Sequence, residues 1–100
     1  SSRYVGRCAR LKIPKSYQLG GTVWTVEQTT PLMGAMGATF SQEAKVQLLS
    51  DLAKQIKEQT FCHELVHTIL FSMGKPSTEH DEVFVDGFAT FLHQYLNSAK

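Results

Sequence analysis

From Leu52 onward the apolar residues recur at helical spacing. Leu52, Ile56, Val66 and Leu70 share one register with His63 and His67, and the pattern stops at Gly74 with Pro76 just beyond it. It restarts after Ser77 and Thr78, either of which can cap a second helix from about Glu79 to Leu96. Val85, Phe88, Ala89, Leu92 and Leu96 form the apolar stripe of that helix. Two helices separated by so short a break turn back on each other, so the second half of the chain reads as an antiparallel hairpin.

Before residue 50 the pattern is different. Residues 10–13 alternate until Pro14 limits them to an edge. Gly20-Gly21 signals a two-residue turn, and residues 22–28 are β-branched and aromatic, which predicts a hairpin. Residues 30–37 read as a loop punctuated by Gly34 and Gly37. Residues 38–40 and 45–49 read as two further strands, the second in preference to a helix capped by Ser41. The expected architecture is α+β, a small twisted sheet packed on the first helix.

A chain of 100 residues forms one domain, spanning 1–100. At 42% hydrophobic and 19% charged it can bury one modest core and is not disordered. Trp24, Phe40, Phe61, Phe71, Phe84, Phe88 and Phe91 are expected to supply packing. Ten Lys+Arg against nine Asp+Glu leave a net charge of +1, without the electrostatic footprint of a nucleic-acid partner. Arg3, Arg7, Arg10, Lys12 and Lys15 read as a solvated face. No apolar stretch approaches the roughly 20 residues of a membrane span. Cys8 and Cys62 are too few for a disulfide framework, and a reduced cytoplasmic monomer is expected in preference to a Cys8–Cys62 bridge.

The first helix carries His63-Glu64-Leu65-Val66-His67. About one chain in a hundred of such composition holds this pattern by chance, so its helical setting matters. Four residues make about one turn, which puts both imidazoles on one face, able to share a metal ion. Glu64 lies on the flank of that face, suited to act as a general base on water. A catalytic zinc takes three protein ligands and a water. Glu79, His80, Asp81, Glu82, Asp86 and His93 are candidates for the third. The first helix runs on by about 9 Å after His67 and the second returns by about 4.5 Å to Glu82. Helices packed about 8–10 Å apart then bring that carboxylate beside the imidazoles. Asp86, one turn later, suits the other ring nitrogen of His63. His80 reads as a surface residue, and His93 and Tyr95 as ordinary core or surface positions rather than groups that polarise a substrate.

His63-Glu64-x-x-His67 followed by Glu82-x-x-x-Asp86 resembles the arrangement of the gluzincin metallopeptidases. Residues 82–92 are similar to the segment after the zinc motif in ImmA/IrrE-type metallopeptidases, and the small size resembles the minigluzincins and short metallopeptidase-like proteins of bacteria and phages. The likeness covers residues 61–92. It implies a zincin-like fold and Zn²⁺ held by His63, His67 and Glu82. It also implies Glu64 as general base, Asp86 supporting a ligand histidine, and a peptide or protein substrate laid along a sheet edge, 45–49 or 38–40. The rival expectation is a non-catalytic zinc-binding module that uses the metal as a structural staple or a regulatory contact.

Overall fold

The Gly20-Gly21 turn sets where strand pairing begins. In the computed structural model, which describes residues 12–30 and 34–99, Gly20 takes φ 59, a left-handed conformation that costs glycine little. The turn pairs β1 (Ser16–Leu19) with β2 (Thr22–Thr29) antiparallel, starting at Leu19↔Thr22. The first arm of the hairpin is therefore 16–19 and not 10–13. A two-residue loop closes on the residues directly before it, and Pro14 stays outside the ladder. Residues 10 and 11 lie outside the described residues, as does Cys8 with its expected pairing.

β3 (Gly37–Phe40) and β4 (Lys45–Leu49) fall where the alternating runs predict, joined by a 3₁₀ turn at Ser41–Glu43. The sheet order is β1-β2-β4-β3, with β2 and β4 parallel and β3 antiparallel to β4. β4 is thus interior, paired on both sides. This removes it as a docking edge and leaves that place to β3.

α1 (Lys54–Ser72) ends as the sequence predicts. Gly74 sits at φ 89, and the Lys75 and Gly74 amides donate to the Leu70 and Phe71 carbonyls, a Schellman closure. The second helix, α2 (Glu82–Ser98), begins later than expected. Ser77–Glu79 form a separate 3₁₀ turn, His80 is extended, and the cap is Asp81, whose carboxylate accepts from the Val83 amide at 3.0 Å. Neither Ser77 nor Thr78 caps α2, because the chain reopens between them and the helix.

Two cores meet on α1. Phe61 joins Trp24, Val46 and Leu48 on the sheet side, with Leu65 packed against them. Cys62 and Val66 join Val85 and Ala89 on the α2 side. The Tyr17 hydroxyl donates to Thr68 Oγ1 (2.9 Å), tying β1 to α1. Buried His93 donates to buried Glu58 (3.1 Å), tying α2 to α1. Ile56, expected in the apolar stripe, is exposed while Glu58 and Thr60 are buried. No helix among the described residues is long and apolar enough to cross a membrane.

Burial pushes the Cys62 thiol up to about 11, and the Glu58 charge adds to the effect. In a Cys8→Ser background, Cys62 should react with a disulfide reagent at pH 8 at least about tenfold more slowly in folded than in urea-unfolded protein, because the thiolate is the nucleophile. Leu48→Ala, at a fully buried position, should cost about 2–5 kcal/mol in urea titrations.

Candidate metal centre

α1 presents three directions. Positions 61 and 65 go to the sheet and 62 and 66 to α2, which leaves 63 and 67 together at the open seam between them. Their ring centroids are 5.1 Å apart. The late start of α2 puts Glu82 at its first helical position, where a carboxylate is favoured by the helix dipole. From there it reaches both rings, with Oε1 3.3 Å from His63 Nε2 and Oε2 3.3 Å from His67 Nε2. One ligand atom from each of the three lies within 4.8 Å of the others, the one such group of three among the described residues.

The far side of each ring is also occupied. Asp86 Oδ1 is 3.0 Å from His63 Nδ1, as the helical spacing predicts. His67 Nδ1 lies 2.7 Å from His80 Nδ1, and His80 Nε2 lies 3.0 Å from the Lys75 carbonyl oxygen. His80 is therefore not a free surface residue. It packs on Phe71, with centroids 4.4 Å apart, and buttresses His67.

These contacts fix where the protons sit. A carbonyl only accepts, so His80 Nε2 carries the hydrogen and its Nδ1, in a neutral ring, accepts. His67 Nδ1 must then donate, which leaves its Nε2 with a bare lone pair. The Nδ1–H of neutral His63 likewise donates to the Asp86 carboxylate, which leaves that Nε2 bare. Two lone pairs and a carboxylate therefore face one another without a proton between them. Acceptors brought this close together at a half-open seam favour a positive charge between them, a bound cation or a proton on an imidazole. Two imidazoles and one carboxylate suit zinc, with a fourth position left open.

Glu64 is buried beside this group but not part of it. One of its oxygens accepts from the Thr39 hydroxyl on β3. Glu64, His63, Asp86 and Gly37 line a cleft of about 260 Å³. A Cβ on Gly37 would stand 2.8 Å from Thr60 Cγ2 and 3.2 Å from Glu64 Cγ, so glycine lets the edge strand lie against α1 at this point. His93, paired with Glu58, and Tyr95, on the outer face of α2, do not line the cleft. Of the rival ligands, Asp81 caps α2 and Glu79 lies 4.0 Å from Lys75.

Sequence spacing does not reveal Thr39, Gly37 or the Lys75 carbonyl, and His80, a candidate third ligand by sequence, stands behind His67 instead. Thr39 and Gly37 carry no motif and act only through sheet register. His80 carried a faint signal, being a histidine in the short connector that returns the chain to the site.

His80→Ala and Asp86→Ala should each weaken zinc binding by about 10–100-fold in competition with a chelating dye, since groups that hold ligand histidines typically matter by that factor. Glu79→Ala should leave it unchanged. Comparison of the chain with protein-family models, with curated proteins and with solved structures finds no match.

Proposed function

We propose that this chain is a zinc-dependent metallopeptidase with a zincin-like fold of the gluzincin kind. The observation that carries the reading is the inward convergence of His63 Nε2, His67 Nε2 and Glu82, each histidine held from behind by Asp86 or His80. His63, His67 and Glu82 would hold the ion. Zinc supplies Lewis acidity when bound, acidifying a water and polarising a carbonyl.

The chain's own residues would do the remaining work. Glu64 sits in the same cleft as His63 with one oxygen engaged by Thr39, and its other oxygen is the one to take a proton from water and return it to the leaving amine. The Thr39 donor keeps the carboxylate oriented. β3 has one paired side and one side with no strand, so an extended peptide can add to its backbone groups. Such a peptide would lie across the Glu64 cleft, because Gly37 and Thr39 of the same strand touch Glu64. The substrate class is therefore an extended peptide or protein segment.

Two variants test the reading. Wild-type protein should carry near one zinc per chain by elemental analysis, and Glu82→Ala much less. Glu64→Gln should retain the zinc and lose at least about a hundredfold in peptide hydrolysis, the scale of a lost general base. Failure to take up zinc on reconstitution overturns the metal reading. Zinc uptake with no hydrolysis in wild type, and no difference in Glu64→Gln, leaves a structural or regulatory zinc module in its place.

A further inference from the structure

α2 carries two apolar seams. Val85, Ala89 and Leu96 turn toward α1, with Val85 and Ala89 fully buried, while Leu92 lies between this seam and the outer groove. Phe84, Phe88, Phe91 and Tyr95 lie one position earlier, repeat with the same four-three-four spacing, and face out. The expectation that the three phenylalanines pack inside the protein fails here, because the single layer beneath α2 is already filled by the first seam. The phenylalanine at 84 is 50% exposed, that at 88 50%, that at 91 71%, and Tyr95 65%. A helix apolar on both sides calls for a second layer.

We infer that this outer seam is the contact between two copies of the chain, paired antiparallel about a two-fold axis. Three observations on α2 favour a second copy. The first is size. At roughly 200 Å² per ring, the four exposed side chains leave about 500 Å² of aromatic surface uncovered. Exposed Val83 adds to this surface, which is more than half of the roughly 800 Å² per partner of a standard interface.

The second is the four-three-four repeat, which is the spacing of a helix-pairing seam. It is self-complementary, since inverting one copy sets Phe84 against Tyr95 of the other and Phe88 against Phe91. Between them lies a groove of about 500 Å³ over Gly87, where no atom stands within 4 Å of a would-be Cβ and a second helix can approach closely.

The third is charge. Glu82 and Asp86, both near its start, are the acidic residues of α2, and it has no Lys or Arg. A parallel pair would crowd four carboxylates at one end, whereas an antiparallel pair separates them to opposite ends and lays each beside the uncharged tail of the other copy. Because the seam faces away from α1, this contact does not depend on the peptidase reading.

Sedimentation equilibrium of the full chain across the micromolar range tests the contact. Wild type should sediment as a dimer. Phe91→Glu and Phe88→Lys should each raise the dissociation constant by at least about thirtyfold, as at a buried aromatic hot spot. Their far-UV circular dichroism should stay unchanged, because both side chains are exposed in the single chain. Mixing the two variants in equal amounts should restore a dimer, since the antiparallel register sets position 88 against position 91. A wild-type monomer throughout the range overturns the inference and assigns the seam to another protein or to a segment of the same chain. A dimer that survives both substitutions overturns it as well. If the two variants dissociate but their mixture stays monomeric, the antiparallel register is wrong.

Discussion

The arrangement depends on α1 serving two cores at once. Phe61 and Leu65 fill the sheet side while Cys62 and Val66 fill the α2 side, about 100° of helix rotation apart. With both flanks committed, the two histidines have one direction left, the seam where sheet and second helix part. The polar residues on this helix follow from the same constraint. Glu58, Thr60 and Thr68 are buried because two partners enclose α1; Glu58 Oε1 pairs with His93 and the two hydroxyls donate to the Ile56 and Leu65 carbonyls, while Glu58 Oε2 has no hydrogen-bond partner among the described residues. Holding α1 between two apolar layers buries these polar groups as well, and the hydrogen bonds they make offset part of that cost.

The site's chemistry is set from behind rather than from within. His63 and His67 turn the same nitrogen inward for different reasons, one through a carboxylate on the next helix and one through a second imidazole braced on a main-chain carbonyl. Each brace removes a proton from the inner face, and the exposed Glu82 carboxylate then adds a third acceptor. The resulting set is a group of acceptors that could hold a cation.

What could be read ahead of the structure divides by range. The two helices, the stop at Gly74 and the neighbours of His63 within four residues are local, and spacing alone exposes them. So are strands 38–40 and 45–49. The first hairpin arm was misplaced because the alternation of Tyr17 and Leu19 with polar residues is only four residues long, while the earlier stretch ending at Pro14 alternates as well. The helix start was misplaced because Ser77, Thr78 and Asp81 are all good capping residues, and the extended backbone at His80 decides among them. Thr39 and Gly37 were out of reach altogether. Their contact with Glu64 spans about 25 residues of sequence and exists only once β3 pairs with β4. Exposure on α2 was equally hidden, since an apolar residue looks the same in sequence whether its layer is present or missing.

The connector from Gly74 to Asp81 holds more than two helices together. Within it, the Lys75 carbonyl braces His80, His80 braces His67, and Asp81 fixes the helix start that puts Glu82 in place. Its length is thereby locked at both ends. One added residue would rotate Glu82 by about 100° around α2 or pull His80 off its ring partner. Changes in chain length should therefore collect in outlying turns such as Gly20-Gly21, where no atom stands within 4 Å of a would-be Cβ. The connector, which looks from composition like an ordinary loop, is thus held to one length by what lies at its two ends.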